Sequence, residues 1–194
     1  LEQRDMPKIV DHDAYRQEII ATAIQLFVAQ GYAGLGMREL AKALGISKSA
    51  LYHYYPSKEA LFGDVVESVV QSTVDELATP RAEATPFVEQ FDGFVDYVLA
   101  HENGFAQEFL ILTEYARLGK DAESAAQMVS GTDRYVTAIA TFLGIAIEEA
   151  QAVYFQINGV LLQRLIDGGR TDLGDKLQWL RATLAAKYDQ GGLT

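Results

Sequence analysis

Proline occurs at only four positions, 7, 56, 80 and 86, so the 108 residues that follow Pro86 contain none. Apolar residues recur at spacings of three and four throughout, and long β-branched runs with period-two alternation are missing. That combination predicts helices rather than strands. Ile20, Ala23, Ile24, Phe27 and Val28 make one stripe, closed by Gly31. Leu61, Phe62, Val65, Val66, Val69 and Leu77 make another, with Ser57 as its N-cap. Thr85 reads as a cap followed by Pro86 at the first helical position, ahead of Phe87, Phe91, Phe94, Val95 and Val98. Further helices fit 105–118, two segments within 121–143 with a kink near Gly131, and 146–166 ending at Gly168 and Gly169. Leu173, Leu177, Leu180, Leu184 and Tyr188 form the last stripe. The expected fold is all-α, with about nine helices and a linker over 78–85.

Composition narrows the chemistry. With 49% hydrophobic residues in 194, the bulk of the chain buries a core and is not disordered. Cysteine is absent, which removes disulfides, thiolate metal sites and cysteine nucleophiles. The uncharged apolar stretch 135–147 is too short to span a bilayer. No leader-like block opens the chain, Met6 is a candidate natural start, and the expected location is cytoplasmic. The net charge of −11 is unevenly placed: residues 1–62 carry seven basic and seven acidic side chains, so the whole excess lies beyond them. The first third is able to approach a polyanion and the remainder is not.

The segment 37–61 reads MRELAKALGISKSALYHYYPSKEAL. Two short helices fit it, over 37–44 and 48–54. Ala41 supplies a small residue where the helices cross, and Gly45 supplies left-handed geometry at the tight turn. Leu40, Leu44, Ile46 and Leu51 are placed to lock the pair, and Ser47 caps the second helix. That helix presents Lys48, Ser49, Ala50, His53 and Tyr54 on its polar side, and small residues near its start let the backbone enter a major groove. Tyr55 and Phe62 read as packing residues; His53 reads equally as a groove contact or a solvated side chain.

This string resembles the DNA-binding region of TetR/AcrR-family transcriptional regulators. The resemblance rests on Leu26-Phe27, Gly31-Tyr32, Arg38-Glu39-Leu40-Ala41, and Leu51-Tyr52-His53-Tyr54-Tyr55 followed by Ser57-Lys58-Glu59-Ala60-Leu61, and it covers residues 14–75. It implies an N-terminal three-helix helix-turn-helix domain over 14–75 and a C-terminal helical ligand-binding and dimerisation domain over 80–194. It also implies that Arg38 and Lys58 contact DNA phosphates, with Tyr52 and Tyr54 on the backbone or bases beside them. Lys48, Ser49 and His53 take the base-facing side, and Ser47 and Ala50 complete the DNA-binding set. Gly36 departs from the usual Ser or Thr of the family and offers no hydroxyl to a phosphate.

The C-terminal part carries two further expectations. The helix over 146–167 is apolar on nearly every side, which predicts burial all round. Either it is central to one compact monomer, or it joins the last helix in a four-helix seam between two subunits. The family resemblance implies the latter, with Val153, Ile157, Leu161, Leu165, Leu177, Leu180 and Leu184 as dimerisation residues. The aromatic-rich helices between 87 and 143 occupy the region where the family surrounds an effector pocket, which implies Phe91, Phe94, Phe109, Glu114 and Asn158 as ligand contacts. Glu114 also stands three residues from Arg117 as an ion-pair partner, Glu108 reads as solvated, and Asn158 reads as a pocket contact or a register-setting group.

Catalysis is not indicated. The three histidines are scattered at 12, 53 and 101 with no metal-ligand spacing, and neither Glu-x-x-His nor Gly-x-Ser-x-Gly occurs. No cofactor and no metal are expected. The expected partners are double-stranded DNA with a palindromic operator, a second copy of the chain as homodimer, and an unidentified small-molecule effector, with no membrane. The function read from the sequence is a dimeric, sequence-specific regulator, a repressor released by a small lipophilic effector. The alternatives are a DNA-binding regulator without small-molecule input and a helical binding protein that does not engage DNA.

Overall fold

The computed structural model describes residues 12–78, 85–119 and 121–188. Among these, the chain folds into nine helices: α1 (His12–Gly34), α2 (Met37–Ala43), α3 (Lys48–Tyr54), α4 (Lys58–Leu77), α5 (Phe87–Ala100), α6 (Glu102–Leu118), α7 (Ala122–Leu143), α8 (Ile147–Asp167) and α9 (Leu173–Tyr188). Two compact units divide at Val65 and Val66, inside α4. Residues 79–84 of the expected linker lie outside the described residues.

The first unit is built from short-range signals. Helix α1 breaks at Gly31, whose φ of 70° and ψ of 164° no helix accommodates. Ile19, Ala23, Leu40, Leu51 and Leu61 are fully buried there. Phe27, Tyr32 and Phe62 form an aromatic cluster with ring centres 4.7–5.8 Å apart. Tyr55 and Phe62 are core residues, as expected. The Tyr55 hydroxyl donates to Asp64 Oδ2 at 3.0 Å, while the Arg16 guanidinium lies 4.9 Å from its ring centre. Burial, reinforced by the Asp64 charge, pushes the Tyr55 phenol up to about 12.

In the second unit α5, α7, α8 and α9 bury one another. Phe91, Phe94, Leu143, Ala150, Val153, Leu173 and Leu177 belong to a continuous apolar cluster. Removing a Leu-sized side chain from water contributes roughly 1.5–3 kcal/mol, so a cluster of this size sets the stability of the unit. Ion pairs tie its helices at the rim: Arg181 to Asp92 at 2.6 Å, Arg164 to Glu102 at 2.5 Å and Arg134 to Glu67 at 2.7 Å. Helices α7 and α8 end at Gly144 and Gly168, both left-handed.

Three sequence expectations change. The segment 121–143 is one helix, not two: Gly131 is buried within α7, where an added Cβ would meet Val70 at 3.5 Å. It marks packing against α4 rather than a kink. Pro86 is the N-cap of α5 with extended ψ of 146°, one residue ahead of the expected first helical position. The predicted dimer residues Val153, Ile157, Leu161, Leu177, Leu180 and Leu184 are buried in the core of their own subunit, and only Leu165 is exposed. A leucine stripe at helical spacing seeks the largest apolar surface available, and here α5 and α7 supply it.

Candidate nucleic-acid interface and ligand cavity

The turn between α2 and α3 has the geometry its sequence demands. Gly45 is left-handed at φ 67°, the Ile46 amide donates to the Ala41 carbonyl at 3.0 Å, and the Gly45 amide donates to Lys42 at 3.2 Å. This pair of bonds closes the helix end and redirects the chain. Ser47 then starts α3, its Oγ accepting from the Ala50 amide at 3.1 Å. Leu51 faces inward and is fully buried. Ser47, Lys48, Ser49, Tyr52 and His53 are exposed, with Ala50 and Tyr54 half-buried.

The expected DNA-binding residues thus fall on one short helix and its neighbours. Lys48 Nζ lies 5.4 Å from the Tyr52 ring centre, and the His53 and Tyr54 rings meet edge-on at 5.7 Å. The Tyr54 hydroxyl shares a 3.2 Å hydrogen bond with His12 Nδ1, and its ring packs on Tyr15 at 5.2 Å. Arg38 is exposed on α2. Gly36 caps α2 without any side-chain bond. Lys58 is more committed than the sequence indicates. Its Nζ donates to the carbonyls of Tyr32 at 2.6 Å and Leu35 at 2.7 Å, and sits 3.8 Å from the Tyr32 ring centre. The Tyr32 hydroxyl donates to Glu59 Oε1 at 2.8 Å. Glu59 is held below the usual carboxylate range by its backbone amide first, then by Tyr32 and Ser57.

The second unit contains a cavity of about 50 Å³, walled by α4, α5, α6, α7 and α8. Of the residues expected to touch a ligand, Phe94, Phe109 and Asn158 line it. Phe91 is buried in the core beside it, and Glu114 pairs with Arg117 at 3.7 Å away from the lining. Glu108, expected in solvent, is the carboxylate of the wall. Thr73 Oγ1 donates to its Oε2 at 2.9 Å, whereas Oε1 is buried and meets no donor among the described residues. The Tyr135 hydroxyl, on the same lining, is likewise buried without a partner. Burial is the main cause that pushes the Glu108 carboxyl up to about 7; the Thr73 bond opposes it and Glu76 adds to it. Glu108 was legible in principle, because Phe105, Glu108, Phe109 and Leu112 share one helical face.

Among the described residues no cluster of three metal-ligating side chains occurs, and no single helix is long and apolar enough to cross a membrane.

The chain thus carries a helix-turn-helix with an exposed second helix, followed in sequence by a helical unit that contains a cavity. Residues 19–65 match the family described as bacterial regulatory proteins, tetR family. Over those residues the chain resembles the TetR family of transcriptional regulators. It is 35% identical to the uncharacterized HTH-type transcriptional regulator YxaF of Bacillus subtilis over 40% of this chain and 47% of that protein. It is 27% identical to the HTH-type transcriptional repressor NemR of Escherichia coli over 93% of this chain and 98% of NemR. The crystal structure of reduced E. coli NemR superposes with a TM-score of 0.66 at 20% identity, covering 89% of this chain and 97% of that one. A transcriptional regulator from Rhodococcus sp. Rha1 gives 0.69 at 18% identity, covering 91% and 96%.

Proposed function

We propose that this protein acts in the cytoplasm as a homodimeric repressor that grips a palindromic operator through α3 and is released by a small lipophilic effector. The observation that carries the reading is the turn at Gly45 and Ser47, which presents Lys48, Ser49, Tyr52 and His53 on one exposed helix face. Residues 14–75 form the DNA-binding domain in this reading and 80–194 the effector and dimer domain. Arg38, Tyr52, Tyr54 and Lys58 position the duplex through its backbone, and Lys48, Ser49 and His53 read base edges. Repression is supported by the repressor named among its relatives.

Dimerisation is supported by an outward apolar stripe. Phe155, Leu162 and Ile166 lie on one face of α8 at spacings of seven and four, exposed by 60%, 49% and 71%. Trp179 on α9 is 65% exposed. Covering such a patch removes large apolar side chains from water, and a two-fold axis gives the paired recognition helices a palindrome needs. Helix α4 begins at Lys58 and supplies Thr73 and Leu77 to the cavity wall. Release then follows from ligand entry displacing α4 and altering the separation of the two recognition helices.

The test is selection of genomic duplexes on the purified protein, followed by footprinting and light scattering. A dimer protecting a two-fold symmetric site supports the proposal. A dimer that retains no duplex at low salt rejects it in favour of a helical binding protein. Thermal-shift screening with small lipophilic compounds checks the effector arm, since the absence of any stabiliser favours a regulator without small-molecule input.

A further inference from the structure

The cavity wall is electrically one-sided. Among the described residues, no Lys, Arg or His lines it, and Glu108 is its carboxylate. A second carboxylate, Glu76, accepts a 2.6 Å hydrogen bond from the lining Tyr97 and adds negative potential at that wall. Two buried polar atoms of this lining, Glu108 Oε1 and the Tyr135 hydroxyl, have no partner among the described residues. Each class of occupant meets these groups differently. A carboxylate or phosphate brings like charge against Glu108 with no base to neutralise it. A hydrocarbon or ether leaves Oε1 without a donor. An ammonium group supplies both the N–H donor and the positive charge, and Tyr97, Phe105 and Tyr154 place aromatic rings on the same lining.

We propose that the cavity binds lipophilic amines, the ammonium donating to Glu108 Oε1 with the Tyr135 hydroxyl beside it, and the apolar tail lying among Phe94, Phe109 and Ile139. This rests on the reading of the cavity as the effector site only for its regulatory consequence; the binding event stands by itself. Burial holds the Glu108 carboxyl at about 7, so near neutrality part of the population must release a proton as the amine docks.

The experiment uses the full chain and three matched probes, 1-octylamine, 1-octanol and octanoate, measured by titration calorimetry. Octylamine is expected to bind at least about tenfold more tightly than octanol or octanoate, with proton release visible as a buffer-dependent heat near neutral pH. Glu108→Gln is expected to weaken octylamine by about tenfold or more while leaving octanol unchanged or tighter, with folding of the variant checked by its melting transition. Tyr135→Phe, a smaller perturbation, is expected to weaken octylamine by less than Glu108→Gln does. Octanoate or octanol binding as tightly as octylamine overturns the proposal, as does unaltered octylamine affinity in folded Glu108→Gln, or no binding of any probe. Octylamine binding through Glu108 without any change in duplex occupancy sustains the amine site and overturns the effector reading instead.

Discussion

Lys58 Nζ sits 2.6 Å from the carbonyl oxygen of Tyr32 and 3.8 Å from the centre of the same residue's ring. One ammonium thereby closes the end of α1 and fixes the first turn of α4, with the Leu35 carbonyl as its second acceptor. An ammonium has three N–H donors and two are engaged here, so a phosphate contact and a structural clamp are compatible in one side chain.

Lys58→Ala therefore has two separable consequences. Loss of charge-assisted bonds to part-buried carbonyls costs about 1–3 kcal/mol of stability, readable by chemical denaturation. If Lys58 also neutralises a phosphate, the slope of log affinity against log salt becomes shallower by about one unit, uniformly across sequences. Lower stability with an unchanged salt slope assigns Lys58 to the clamp alone.

Gly45 gives a cleaner backbone test. At φ 67° a Cβ would meet nothing within 4 Å, so substitution is penalised by backbone conformation and not by a clash. Gly45→Val is expected to cost more than about 1–2 kcal/mol and to impair DNA retention, because it disturbs the approach of α3. Gly45→Asn is expected to be milder, since Asn tolerates the left-handed region. Equal melting temperatures for both variants and the parent would remove the turn from the argument.

Exposed and buried apolar residues of α8 and α9 should behave in opposite ways. Phe155→Glu together with Ile166→Glu leaves the subunit core intact and is expected to yield folded monomer that no longer protects an operator. Leu177→Ala, at a fully buried position, is expected to lose about 2–5 kcal/mol of stability. Sedimentation of the double variant as a dimer contradicts the assigned seam.

The Glu108 carboxyl makes stability depend on pH in a defined direction. An unfolded glutamate titrates at about 4.5, and the folded Glu108 at about 7. Between those values the folded state holds a proton that the unfolded state has lost, so this group lowers stability as pH rises through the interval. Among the described residues, Glu76 from α4 and the hydroxyls of Tyr97, Tyr135 and Tyr154 are the other titratable groups at this wall. Glu108→Gln is expected to gain roughly 1–3 kcal/mol at about pH 8 and nothing at about pH 4, measured by denaturant unfolding. A gain of equal size at both pH values contradicts burial of the charge as its origin.

The helix-turn-helix was legible because its determinants are local. Gly45, Ser47 and Leu51 fix a turn, a cap and an inward face within seven residues, and α3 spans the residues its sequence indicates. The second unit was legible as helices but not as faces. Leu177, Leu180 and Leu184 read as a seam because one strong stripe cannot say which surface covers it, and the chain's own helices do so. The outward set of Phe155, Leu162, Ile166 and Trp179 is sparse and interrupted by polar residues, so its meaning emerges only from exposure. Gly131 read as a break because a glycine inside a helix and one at its end look alike until the packing partner, Val70, is known. Glu108 read as solvated because charge outweighed its place beside Phe105, Phe109 and Leu112.

The most direct measurement is the stoichiometry and footprint of the protein on a selected duplex in low-salt buffer, by sedimentation and hydroxyl-radical cleavage together. The result expected is two chains per site, with two protected half-sites centred about 34–36 Å apart and lost on substitution of the exposed face of α3. A single chain on the duplex, or no protection on any sequence, contradicts paired recognition by α3.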